Sequence, residues 1–178
     1  MVFMGRRDII NVDIFPFDEV DMVADAAQLP IESDSVDCAI NIAMLEHVPD
    51  PQAVISEMHR VMREGGEFLC FVPFMQPYHA APHDYHRWTV PGAEALFSDF
   101  AEVEITVSPG PTSGMLWVVQ EWLAVLLSFG SKTVHDALLM ALMVLTFPIK
   151  FLDEILVYHP NAQNLASGFF IRGTKRSQ

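Results

Sequence analysis

Short β-branched runs that alternate with a well-delimited amphipathic segment predict an α/β fold. Three observations carry this expectation. Ser35 to Ile42 is a mostly apolar run of strand length, Glu67 to Pro73 is a second one, and between them Asp50-Pro51 opens a helical pattern. Asp50 supplies an N-cap and Pro51 a first-turn proline, while Ala53, Val54, Met58, Val61 and Met62 fall on one helical face before Gly65-Gly66. A strand–helix–strand run of this length implies a parallel crossover.

The remaining elements follow in order. Ile9 to Ile14 reads as a strand ending near Asp13, stopped by Pro16, and Val20 to Asp25 as a second, brief alternating strand. The third, Ser35 to Ile42, has the composition of a strand buried on both faces. After a His-, Tyr- and Pro-rich loop over residues 73–89, Pro91 to Phe97 reads as a short helix and Ala101 to Val107 as a strand. Ser108-Pro109-Gly110-Pro111 is a break. Two apolar helical segments follow, Leu116 to Phe129 and Ala137 to Ile149, and Ala166 to Thr174 reads as a last strand. No repeat or low-complexity linker interrupts the chain, so residues 1–178 are expected to form a single domain, with an apolar helical insertion over 115–158.

Composition sets further bounds. The chain has 178 residues, of which 51% are apolar and 19% charged, enough apolar material for one core. Its formal charge of −13 repels phosphate backbones and argues against a nucleic-acid partner. The acidity is concentrated in residues 1–50, with 11 acids and two bases, while residues 161–178 carry three bases and no acid. Cys38 and Cys70 lie in apolar runs and read as reduced core residues. Arg6, Arg7 and Asp8 interrupt the start, so no secretory signal is read there and a cytoplasmic location is expected.

Four pieces then stand together: Asp25-Ala26-Ala27-Gln28-Leu29-Pro30, Asp34-Ser35-Val36-Asp37, Leu45-Glu46-His47-Val48-Pro49-Asp50-Pro51, and Glu57-Met58-His59-Arg60-Val61-Met62-Arg63-Glu64-Gly65-Gly66. In this order and spacing they resemble class I S-adenosylmethionine-dependent methyltransferases, in particular the branch that includes quinone-biosynthesis enzymes. The resemblance is dense over residues 9 to 73. The downstream runs Pro73 to His79 and Pro82 to Thr89 are similar to a less characterised group of the same family.

The resemblance implies a Rossmann-like sheet, S-adenosylmethionine as methyl donor, and a small or lipid-like acceptor. It places Asp13 at the ribose hydroxyls, which suits an acceptor-only carboxylate, Asp25 with the backbone of Ala26 at the adenine, and Asn41 beside the methionine part. Each position has a plainer reading: a solvated strand-end acid, a turn aspartate bonded to its own backbone, and a polar residue tying down a strand end. The family begins with a strand and a Gly-x-Gly-x-Gly turn, whereas the early glycine here is Gly5. The expected sheet therefore lacks its first, central strand: either the sheet closes up, another chain (a second copy or a complementing one) fills the gap, or the domain is a truncated one. A non-catalytic, degenerate domain working as a partner or membrane-associated subunit is the alternative function.

His47, His83 and Tyr85 are the candidate acid–base residues, although methyl transfer from an activated sulfonium asks mainly for orientation. His79, His83 and His86 with Asp84 invite a metal reading, but Pro82 breaks any helix that would align them, and no metal is expected there. The two apolar segments are shorter than the ~20 residues a membrane-crossing helix needs. They read either as a buried hairpin capping the sheet or as a lipid-facing lid with Trp117 and Trp122 at the interface, in peripheral contact with a membrane.

Overall fold

The computed structural model describes residues 9–177. Its centre is a four-stranded mixed sheet in the order β3-β4-β6-β5, formed by β3 (Val36–Ile42), β4 (Met62–Pro73), β5 (Phe100–Val107) and β6 (Gly168–Lys175). β3 and β4 run parallel, joined as expected through α1 (Pro51–Val61), and β6 lies antiparallel between β4 and β5. A separate parallel pair is made by β1 (Val12–Asp13) and β2 (Met22–Val23). These two are shorter than their sequence patterns predict, because among the described residues each pairs only with the other.

One face of the larger sheet is sealed by α1 and by α2 (Val90–Leu96). Val54, Ile55 and Met58 from α1 meet Ala93 and Leu96 from α2 over Phe68, Cys70 and Val72 of β4 and Phe169 and Ile171 of β6. Phe68 stacks on Phe97 with ring centroids 5.1 Å apart and leans on Phe100 at 4.5 Å. The local signals work as read: Asp50 accepts from the amide of Ala53, and Thr89 caps α2 by accepting from Gly92.

α1 stops at Val61, earlier than the glycine pair suggested. Its last carbonyls, on Arg60 and Val61, accept from the amides of Asp34 and Ser35 at the entry to β3, so the loop takes over the bonds that another helical turn would have made. Gly65 (φ 70°) then serves a bulge in β4, between the pairs Val36–Met62 and Cys38–Glu67.

The expectation that β3 is buried on both faces is corrected. Cys38 is exposed, and Ile40 and Ile42 are 52% and 43% exposed, because no described helix covers that side. Only Cys70 is a core cysteine, and burial pushes its thiol pKa up.

Between β5 and β6 lies the helical insertion: α3 (Pro111–Leu127), α4 (Lys132–Thr146), a 3-10 segment Phe147–Leu152, the short α5 (Asp153–Leu156) and a turn at Ala162–Asn164. It begins a few residues before the predicted apolar run. Asp153 caps α3 by accepting from the amides of Thr112 (2.8 Å) and Ser113 (3.0 Å). Gln120 and Glu121, the polar interruptions in α3, tie the hairpin together through Thr146 and His135 of α4. α3 has five buried residues and α4 has none, so the hairpin is neither wholly buried nor wholly free.

α3 approaches the start of β6 so closely that only glycine fits at position 114. A Cβ there would collide with the carbonyl oxygen of Leu165 and lie 3.0 Å from the amide nitrogen of Ser167. Gly114→Ala should therefore lower stability by about 1–3 kcal/mol, the cost of overpacking. Chemical denaturation with an unchanged slope and a lower midpoint is the expected result; an unchanged midpoint would mean that α3 is not held against β6.

Candidate functional site

The C-terminal ends of the parallel strands carry the polar residues singled out in the sequence. Asp13 ends β1, half-buried, and its Oδ1 accepts from the amide of Phe15 at 2.8 Å. Asp25 follows β2, is exposed, and accepts from the amide of Ala27 at 2.9 Å. Asp25 thus makes the turn bond of its plainer reading, and Asp13, whose plainer reading is a solvated strand-end acid, makes a similar local bond, each through a single oxygen. Ala26 is partly buried against the core. Asn41, near the end of β3, is 8% exposed, and its side-chain Oδ1 is buried without a hydrogen-bond partner. A buried acceptor of this kind is costly unless something donates to it.

Beyond Asn41 the chain bends through Ala43, at φ 53°, into a 3-10 turn, Leu45–His47. The turn drives Leu45 and Glu46 inward to 0% exposure and leaves His47 half-buried. The loop that follows β4 then closes over it. The amide of Tyr85 donates to the carbonyl of Glu46 at 2.7 Å, and His47 Nδ1 lies 2.6 Å from the carbonyl oxygen of His83.

That loop is held by a clasp. Arg87 makes a bidentate pair with Asp84 and donates as well to the carbonyls of Gln76 (3.1 Å) and Pro77 (3.0 Å). Asp84 also accepts from the amide of His79 at 2.9 Å. The guanidinium holds the Asp84 carboxyl well below the usual carboxylate range, with the His79 amide adding to the effect.

His79, in turn, stacks on Trp117 of α3, with ring centroids 5.7 Å apart, and meets His47 edge-on at 5.4 Å. Trp117 therefore faces the loop, whereas Trp122 is 61% exposed, as five helical positions and roughly 140° of rotation require.

Of the predicted acid–base residues, His47 sits inside this cluster. His83 and Tyr85 are exposed, their rings 5.6 Å apart, and join it through backbone groups. Glu46, Arg87 and the inward turn of Trp117 were not singled out as site features. Glu46 looks in sequence like one more acid of an acidic segment, and the i, i+3 spacing of Asp84 and Arg87 was the readable sign of the clasp.

Residues 8–70 match the family described as methyltransferase domain. Over that stretch, about a third of its length, the chain is similar to class I S-adenosylmethionine-dependent methyltransferases. It is 43% identical over 47 residues to a probable S-adenosylmethionine-dependent methyltransferase of Mycolicibacterium smegmatis, covering 26% of this chain and 18% of that protein. It is 28% identical over 112 residues to phosphatidylethanolamine N-methyltransferase of Cereibacter sphaeroides, covering 61% of this chain and 54% of that one. The chain thus spans less than two thirds of these relatives. In fold it is similar to a phosphoethanolamine N-methyltransferase of Haemonchus contortus, solved with phosphomonomethylethanolamine and S-adenosylhomocysteine. That likeness has a TM-score of 0.52 at 16% identity and covers 89% of this chain and 38% of the other.

The Asp84–Arg87 pair gives a direct test of what holds the loop. The carboxylate's pKa is lowered on folding, so its contribution is fully present above the ordinary aspartate pKa of about 3.9 and is lost as pH falls through the lowered folded value. Asp84→Asn should cost about 2–3 kcal/mol near neutral pH, the worth of charge-assisted bonds at a nearly buried site, and progressively less below about pH 4. Equal stability of the two proteins at pH 7 by denaturant titration would refute the clasp.

Proposed function

We propose that this domain transfers a methyl group from S-adenosylmethionine to a small or lipid-like acceptor at the C-terminal edge of its parallel strands. The observation that carries this is the buried, unpartnered Oδ1 of Asn41, an acceptor waiting for a donor at the strand end where the cofactor's amino-acid part is expected. Asp13 and Asp25 each keep a second carboxylate oxygen for the ribose hydroxyls and the adenine amino group, with Ala26 alongside. When bound, the sulfonium supplies an already activated methyl group, so the protein's task is to orient it. The acceptor would enter beside the 74–89 loop, with His47, His83 and Tyr85 available to position it or take its proton.

Two features support finer readings. The sheet is split into β2-β1 and β3-β4-β6-β5, and β1 and β3 each end a ladder among the described residues. This supports a class I sheet whose first strand belongs between β1 and β3 and is not supplied by residues 9–177. A single domain with the 115–158 segment as an insertion is the organisation we favour.

The second feature is the insertion's surface. Trp122, Val125, Phe129, Val144, Leu145, Phe151 and Ile155 are all at least 60% exposed. So large an apolar surface marks an interaction site. No helix of the described residues is long and apolar enough to cross a membrane. We favour peripheral contact with a lipid surface on the cytoplasmic side and a lipid-like acceptor arriving from it, consistent with the phospholipid named for one relative. The same surface favours, as a second reading, a membrane-associated subunit without activity of its own.

Calorimetry with S-adenosylhomocysteine tests the cofactor. Binding should be measurable and should weaken about tenfold in Asp25→Asn, which keeps an oxygen for the Ala27 amide but removes the charge, a loss of about 1.4 kcal/mol. No heat at millimolar ligand would defeat the methyltransferase reading of this chain.

Vesicles test the surface. The chain should partition onto neutral lipid with a blue shift of tryptophan emission, weakened in Trp122→Ser, because a charge of −13 disfavours anionic lipid. Emission unchanged by vesicles, with no co-sedimentation, would assign the surface to protein contact instead.

A further inference from the structure

We propose that Glu46, His47 and His79 form a binding site for a divalent transition-metal ion of the zinc type. Glu46 is fully buried, and neither carboxylate oxygen has a hydrogen-bond partner. Its Oε1 lies 3.9 Å from His47 Nε2 and 3.8 Å from His79 Nε2. One ligand atom from each of the three residues lies within 4.8 Å of the others.

The far sides of the two rings decide what the near sides present. His47 Nδ1 is 2.6 Å from the carbonyl oxygen of His83, and His79 Nδ1 is 2.9 Å from that of Pro77. A carbonyl only accepts, so each Nδ1 carries the proton, and in neutral imidazoles each Nε2 turns a lone pair toward the Glu46 carboxylate. Three lone-pair donors, one from a buried carboxylate and two from partly buried rings, then converge.

Both separations are near 1 Å longer than the about 2.7–2.9 Å of a charge-assisted hydrogen bond between a ring nitrogen and a carboxylate, so neither ring bonds Glu46 directly. Donor atoms around a tetrahedral ion at about 2.0–2.2 Å lie roughly 3.3–3.6 Å apart, which the cluster approaches. Two imidazoles and one carboxylate suit zinc and its neighbours rather than magnesium or calcium, which prefer oxygen alone. Backbone carbonyls behind both histidines are the outer support expected of such ligands, and the Arg87–Asp84 clasp and Trp117 fix the position of His79. With three protein ligands, one coordination position is left for water or for an oxygen or nitrogen of a bound molecule.

The proposal gives His47 a ligand's role in place of the acid–base role offered above, and its readout needs no activity. The full chain, stripped with a chelator, is titrated with zinc by calorimetry and with cobalt(II) by visible absorption. One zinc per chain and the intense absorption of four-coordinate cobalt are expected. His79→Ala and Glu46→Gln should each weaken zinc binding by about tenfold or more, while His83→Ala and His86→Ala should leave it unchanged. Circular dichroism of each variant separates lost ligands from lost folding; if Glu46→Gln does not fold, His79→Ala, at a partly exposed ring, decides. Absence of stoichiometric zinc, equal binding by the His79 variant, or a loss that follows His83 or His86 would overturn the proposal.

Discussion

The packing of α1 and α2 against one face of the sheet is the constraint from which the rest of the molecule follows. Phe68, Phe97, Phe100 and Phe169 are each 2% exposed or less, and aromatic side chains of this size supply most of the apolar area such a core removes from water. This layer fixes β4 beside β3 in parallel, and parallel pairing puts the ends of both strands at the same edge. The turn at Leu45–His47 and the loop after Pro73 leave from that edge, so Glu46 and His79 meet because the core beneath them is rigid. Local loop chemistry, above all the Arg87 clasp, then sets the final positions.

The same one-sidedness explains what the sheet does not bury. Along β3, Ala39 faces the helices, whereas Ile40 and Ile42 face outward and are exposed; of their partners on β4, Leu69 is partly buried and Phe71 buried. Parallel strands are ordinarily covered on both faces, and an apolar row open to solvent is not a stable endpoint for an isolated sheet. β3 is also an edge strand among the described residues. Exposed face and exposed edge thus occur together at β3.

Much of this was legible in the chain. Asp50-Pro51 marked a helix start that its capping bond confirms, and the apolar run around Cys70 marked a central strand. Legibility ended where tertiary contacts decide. Cys38 and Cys70 sit in equally apolar runs, yet one is exposed and the other buried, because cover depends on which helices arrive and not on the strand's own residues. The end of α1 was misplaced because the loop before β3 claims its last carbonyls. The cluster at Glu46 was hidden for a similar reason. The histidines in the loop were visible together, but the structure brings only His79 of the three to Glu46 and His47, which lie more than thirty residues earlier.

The electrostatics of that corner distinguish it from the rest of an acidic protein. Most of the carboxylates are solvated at the surface, where their charge costs little, and Asp84, which is nearly buried, is neutralised by a bidentate arginine. Glu46 is more deeply buried and has no such partner. Arg87 already serves Asp84 and the carbonyls of Gln76, Pro77 and His86, and the two imidazoles within 4 Å of Glu46 turn Nδ1 to the carbonyls of His83 and Pro77. Neither histidine Nε2 is within hydrogen-bond distance of the Glu46 carboxylate. At the edge of the sheet the loop therefore encloses a fully buried carboxylate that the described side chains leave without a hydrogen bond.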